Sequence, residues 1–400
     1  MRAAIVILSI VLALLLAVGG ILFFGSEKTP VPEQPSTTTE PATAPPTATT
    51  EVPTTTATEP EPEPELIPQE PPVVLQGKPV ESFLIDGSLF IRAADFAEAV
   101  GMTIESEEPL KLRGADTVEL SEKRLTVNGE PYVQPMEEIV YRGEAYFPLL
   151  EMAEALRYPM WTDEESGITY ITPSARAFEI PENVNVPVLM YHAVSDYMWG
   201  INELFVSPSS MDEQLAYLVE NGYDAIWFED LAHVADYDKP VILTFDDGYD
   251  DNYTELLPLL QKYNVKATVF VIGNAVGMSH KMTEEQIREM AASGLVSIQS
   301  HGYTHDDMDV MGEETLEFEL SETKKVITRM TGRIPYVLCY PTGKYSNLTL
   351  EVGARHYLFG IKMVGGQYNT SDDPFLVSRF YVSRYTDIGT FASYLSAAGT

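Results

Sequence analysis

From residue 181 to residue 400 the chain alternates short apolar runs with helical patterns, and that alternation restricts its fold more than any other feature. The apolar runs cover 186–190, 241–245, 268–272, 295–298, 336–340 and 360–363. Amphipathic spacing fills the intervals at 211–220, 253–263, 284–292 and 313–330. A short continuous apolar run reads as a strand buried on both faces, and repeated strand-then-helix units imply a parallel sheet or barrel. The expected fold class is therefore α/β, with its chemistry displayed at the C-terminal ends of the strands.

Two of the runs end in reactive side chains. Thr244-Phe245-Asp246-Asp247-Gly248-Tyr249 follows one, and Ser300-His301-Gly302-Tyr303-Thr304-His305 follows another. Two carboxylates and two imidazoles suit one divalent cation and one spare acid or base. His301 and His305, four residues apart, present their rings on one side of a helical turn or tight loop, and Asp247 adds a carboxylate. Three protein ligands leave positions for water and substrate, as in a catalytic rather than a structural site. Asp246 is then free to take a proton from water. Neighbours on extended backbone point to opposite sides, which suits two carboxylates with different tasks. Gly248 permits a tight turn into the next helix, and Tyr249 beside it is a candidate substrate contact.

The rest of the chain sets the context. A formal charge of −35 over 400 residues argues against nucleic acid or an anionic lipid surface as a partner. Nothing in the sequence points to a protein partner. After Met1-Arg2, residues 3–25 contain only Ser9 as a clearly polar side chain, a span long enough to cross a bilayer. Ile21-Leu22-Phe23-Phe24 continue past the cleavage-like Ala17-Val18-Gly19, so residues 1–25 read as an uncleaved signal-anchor helix in the cell membrane. Residues 26–72, rich in Pro, Thr and Glu, form a linker that cannot bury enough surface to fold. Residues 73–173 form a small α+β domain with a faint repeat: 86–99 reappears as 142–155, each copy a Gly turn leading a strand into a helix. Val127-Asn128-Gly129-Glu130 supplies a hairpin turn between them. Cys339, the lone cysteine, reads as a buried small apolar side chain.

The 244–248 and 300–305 segments look like the first two motifs of the polysaccharide deacetylases, the NodB-homology domains of carbohydrate esterase family 4. The resemblance covers about residues 185–390. It implies a distorted (β/α) barrel, a divalent metal, usually zinc with Co2+, Ni2+ or Mn2+ as alternatives, and removal of acetyl groups from N-acetylglucosamine residues. Matched by position, Asp246 is the general base and Asp247, His301 and His305 hold the metal. The third family motif corresponds best to Tyr340-Pro341-Thr342-Gly343, which follows a strand; Arg333-Ile334-Pro335-Tyr336 precedes it. Thr342 then supplies the backbone N–H for the oxyanion, and Tyr340, Pro341 and Gly343 join Tyr249 as substrate-binding candidates. Cys339 occupies the family's arginine position, and Arg379 is the candidate substitute. The family's late histidine is also missing. His192, ending Pro187-Val188-Leu189-Met190-Tyr191-His192, resembles the early acid histidine of exported poly-N-acetylglucosamine deacetylases. The small domain resembles the copper amine oxidase N-terminal-like stalk of secreted Gram-positive proteins, although no His lies between residues 73 and 172 to hold copper. Poly-N-acetylglucosamine, peptidoglycan, chitin-like oligomers and acetylated xylan remain open as substrates, with a non-catalytic glycan-binding module as the rival class.

Overall fold

The computed structural model describes residues 66, 68–70, 72–85, 87–114, 116–172, 180–363, 365–396 and 398. The expected signal-anchor, and all but a few residues of the linker, lie outside that set. No helix among the described residues is long and apolar enough to cross a membrane.

The larger domain is built on parallel strands: β1 (Val188–Tyr191), β2 (Asp224–Ala225), β3 (Pro240–Phe245), β4 (Ala267–Val271), β5 (Val296–Ser300), β6 (Val337–Cys339), β7 (Phe359–Ile361) and β8 (Phe380–Tyr381). Their order is β7-β6-β5-β4-β3-β1-β8, with β2 joined to the start of β3. Every residue of β3 to β7 is buried; β3, β4, β6 and β7 are correspondingly rich in apolar residues, whereas β5 alternates and bonds its buried polar side chains to each other, Gln299 Nε2 donating to Ser297 Oγ at 2.9 Å. The helices α1 (Pro208–Glu220), α2 (Leu257–Tyr263), α3 (Glu284–Ala292), α4 (Glu313–Thr331), α5 (Asn347–His356) and α6 (Ile388–Leu395) supply the other layer. A π-helical turn, Asn252–Leu256, leads into α2.

Closure depends on residues 377–381. Val377 N donates to Gly360 O, and Lys362 N donates to Val377 O, each at 3.0 Å, while Phe380 and Tyr381 pair with Leu189 and Met190 of β1. One segment thus bonds to both edge strands and turns the sheet into a distorted barrel.

Residues 73–172 form two four-stranded sheets, a five-stranded antiparallel meander and the helices Ala93–Val100 and Leu149–Ala155. The two repeat copies pair with each other: Ser88–Arg92 runs antiparallel to Glu144–Pro148. At the expected hairpin, Val127 pairs with Glu130, and Asn128 (φ 54°) and Gly129 (φ 82°) both take the left-handed backbone such a turn needs. This domain packs on the barrel. Asp163 accepts both arms of Arg329, at 2.6 and 3.1 Å, and Ile334 N donates to Thr172 Oγ1 at 2.8 Å. Gly332 approaches so closely that a Cβ there would lie 2.7 Å from the Gly77 Cα.

Candidate active site

The C-terminal ends of β1, β3, β5 and β6 bring His192, Asp246, Asp247, His301 and the 340–343 turn to one mouth of the barrel. His301 and His305 lie in a loop, not on a helix. The His301 ring nitrogen Nδ1 is 2.9 Å from the Cys339 carbonyl oxygen, which can only accept. Nδ1 therefore carries the proton and Nε2 offers its lone pair toward the site. Asp247 Oδ1 lies 3.5 Å from His301 Nε2 and 3.4 Å from His305 Nε2. Ligands bonded tetrahedrally at about 2.1 Å stand about 3.4 Å apart, so these three atoms fit a small divalent cation.

Asp246 and Asp247 do not divide their tasks by strand alternation, as extended backbone would have it. Asp247 has φ 76°, a left-handed conformation uncommon for a residue with a side chain, and Gly248 follows at φ 64°. That kink separates the two carboxylates. His305 (φ 69°) and Thr342 (φ 55°), also at this mouth, take the same left-handed backbone.

Asp246 is 3% exposed and Arg379 2%. Arg379 grips the carboxylate with both terminal nitrogens, Nη1 to Oδ1 at 2.7 Å and Nη2 to Oδ2 at 2.8 Å. Its Nη1 also donates to Thr244 Oγ1 and its Nε to Lys362 O, both at 3.0 Å. Burial alone would raise the Asp246 carboxyl, but the paired guanidinium holds it below its ordinary value. Cys339 fills the space beside the pair, 3.3 Å from Arg379 Nη2 and 3.7 Å from Asp246 Oδ2. His192 Nε2 lies 3.9 Å from Asp246 Oδ2. Burial lowers the His192 imidazole against the opposing pull of both aspartates.

Thr342 sits at the mouth, its hydroxyl donating to Asp307 at 2.6 Å. Tyr249 turns its hydroxyl to Asp247, and Lys281 Nζ lies 3.8 Å above its ring. Tyr340 requires a correction. Its phenol is buried and donates to the Phe375 carbonyl at 3.0 Å, so it packs the layer behind the strand and does not face substrate. Cys339 points into the barrel, and strand alternation sends its neighbour Tyr340 outward. Pro341 is likewise buried, against Gly302, and Gly343 makes the turn at φ 72°. The alternative Arg333-Ile334-Pro335-Tyr336 segment precedes β6, at the opposite end of the strand from the mouth, with Arg333 over Trp227. His356 ends α5 and meets Glu317 at 2.6 Å.

Comparison with known proteins places this arrangement. The sequence profile of the polysaccharide deacetylases matches residues 233–359. YxkH of Bacillus subtilis (strain 168), whose name assigns it to the polysaccharide deacetylases, is 31% identical over 218 residues, covering 53% of this chain and 76% of that protein. The chain belongs to the polysaccharide deacetylase family. Two further deacetylase relatives are matched over shorter stretches. The poly-beta-1,6-N-acetyl-D-glucosamine N-deacetylase of Escherichia coli (strain K12) is 31% identical over 161 residues, 34% of this chain and 24% of that one. The peptidoglycan-N-acetylmuramic acid deacetylase PdaA of Bacillus subtilis (strain 168) is 30% identical over 156 residues, 38% of this chain and 55% of that one. Among solved structures, the polysaccharide deacetylase BC0361 from Bacillus cereus is similar with a TM-score of 0.51 and 25% identity, covering 72% of this chain and 77% of its own.

Sequence reasoning missed the groups that hold this deacetylase site from behind. Lys281 Nζ donates to the Asp247 carbonyl at 2.9 Å, and residues 280–282 bond along the 248–250 turn. Asn252 Nδ2 donates to the His192 carbonyl at 3.0 Å, and Asp251 Oδ1 accepts from Val194 N at 2.9 Å. The available signal was the polar run Asp250-Asp251-Asn252 at the start of a helix whose other faces are apolar.

Proposed function

We propose that the protein hydrolyses the acetamide groups of N-acetylglucosamine residues in an extracellular polysaccharide, poly-N-acetylglucosamine or peptidoglycan, releasing acetate and leaving a free amine. The observation that carries this reading is the Asp246–Arg379 pair standing beside the Asp247, His301 and His305 donor set at one barrel mouth. A divalent cation held by those three residues, zinc being the expected one, supplies Lewis acidity for the acetamide carbonyl.

The remaining chemistry belongs to the chain. Asp246, kept ionised by Arg379, takes a proton from the water that adds to the carbonyl carbon. The Thr342 N–H is the donor assigned to the oxyanion. His192, its Nε2 3.9 Å from Asp246 Oδ2, takes up the proton that Asp246 removed from water and delivers it to the sugar nitrogen as the C–N bond breaks. Tyr249, at the edge of the donor set, is the substrate contact this reading retains.

One relative is named for poly-N-acetylglucosamine and another for the N-acetylmuramic acid of peptidoglycan, which supports an acetylated amino-sugar polymer without choosing the sugar or the polymer. The apolar residues 1–25 and the following Pro/Thr/Glu-rich stretch support a membrane-tethered protein whose barrel faces a polymer outside the cell. The packed N-terminal domain would then serve as a stalk of the copper amine oxidase N-terminal-like kind.

Acetate release from β-1,6-linked N-acetylglucosamine oligomers and from peptidoglycan fragments, by wild type and Asp246→Asn, tests the reading. Loss of general-base function is expected to slow release about 10²–10⁴-fold. Equal rates would overturn Asp246 as the base, and no release from either polymer by wild type would overturn the reading in favour of a glycan-binding module.

A further inference from the structure

Glu319 lies on α4 within the apolar stripe of Leu316, Leu320 and Ile327, and is 2% exposed. Among the described residues no Lys, Arg or His stands within ion-pair distance of it. A buried carboxylate without a cation is costly and persists only where hydrogen bonds satisfy it. Its Oε2 accepts from Tyr303 N at 2.8 Å and Thr304 N at 2.9 Å, and its Oε1 accepts from Thr304 Oγ1 at 2.7 Å. All three donors belong to the few residues between His301 and His305.

That stretch needs holding. Gly302 at φ 74° and His305 at φ 69° both take left-handed backbone. The carbonyls of Gly302 and Tyr303 accept from Gly273 N and Asn274 N at 3.0 and 2.9 Å. The 273–274 turn therefore fixes the loop by its carbonyls, and Glu319 fixes it by its amides.

We propose that Glu319 is a positioning residue: through the 303–304 amides it sets the backbone that places the two imidazoles at the spacing a single cation requires. The inference rests on the metal-site reading above. Outer groups that orient ligands in this way commonly change metal affinity 10–100-fold when removed.

Titration calorimetry of the metal-stripped full chain with Zn2+, and the visible spectrum with Co2+, test it. Glu319→Ala is expected to bind Zn2+ about 10–100-fold more weakly and to give an altered Co2+ spectrum. Glu319→Gln keeps the geometry, since its carbonyl oxygen can accept both amides and its NH2 can donate to Thr304 Oγ1. It is expected to stay within a few-fold of wild type and to retain the Co2+ spectrum. Wild-type affinity in a folded Glu319→Ala would overturn the proposal. So would a Gln variant as weak as Ala, which would assign the effect to charge. Should Glu319→Ala not fold, Glu319→Asp, whose shorter side chain withdraws the carboxylate from both amides while keeping its charge, carries the test; unchanged affinity there overturns it. A wild type that binds no cation would instead sink the metal-site reading itself.

Discussion

Asp246 owes its charge to a residue 133 positions away in the chain. A carboxylate at that burial would ordinarily hold its proton, and the two-pronged grip of Arg379, aided by His192 and His301, keeps it ionised as the proposed base must be. Replacing Arg379 by Met leaves a buried, unpaired carboxylate. Breaking such a pair is expected to cost about 3–5 kcal/mol, read as a lower urea midpoint. The same change should act on rate. With the guanidinium present, the folded carboxyl lies below its ordinary value, so base function persists until low pH. Without it, burial dominates and the acid limb of the kcat/KM profile should move to higher pH. A profile whose acid limb stays in place would show that Asp246 does not depend on this pair.

At the scale of elements, the strand ends were legible because their information is local. An apolar run followed by Asp-Asp-Gly or by His-x3-His states both the strand and the chemistry within about ten residues. Arg379 could be named from sequence only by elimination, because its partner is chosen by barrel closure. Tyr340 misled because proximity to a motif says nothing about which way a strand residue faces. Asp251 and Asn252 offered only the faint signal of a polar run, for a third reason. Asn252 opens a π-helical turn that Asp251 directly precedes, and the extra residue per turn shifts faces that a regular helix would have assigned. Asp251 has one oxygen bonded and the other, Oδ2, without a partner in the interior, and burial pushes its carboxyl up to about 6. The folded state therefore binds a proton more readily than the unfolded chain between about pH 4 and 6. Through this group, stability should fall as pH rises across that window. Asp251→Asn should remove that slope and gain on the order of 1–2 kcal/mol at pH 7, measured by urea unfolding at pH 4.5 and 7. An unchanged slope would mean the group does not titrate there.

Across the whole molecule, the N-terminal domain is seated on the barrel by a pair that one can dissect. Asp163 is nearly buried while the Arg329 side chain is 43% exposed, so solvent screens the bond and its worth is about 1 kcal/mol. The guanidinium lowers the Asp163 carboxyl to about 2. The stabilisation is accordingly complete above the ordinary carboxylate range and lost as pH falls toward 2. Arg329→Ala should lower the unfolding midpoint slightly at pH 7, with the difference from wild type shrinking below about pH 4. A difference independent of pH would assign the loss to Arg329 packing over Trp161 instead. The segment that closes the barrel carries a consequence in time. Residues 377–381 join the two edge strands and deliver Arg379 to Asp246, so every earlier residue can leave the ribosome before the base has its partner. Until those residues are in place the nascent protein holds an open sheet and an unsupported carboxylate. Closure of the sheet and pairing of Asp246 thus wait on the same late residues, with α6 still to follow and pack Phe391 and Leu395 into the core.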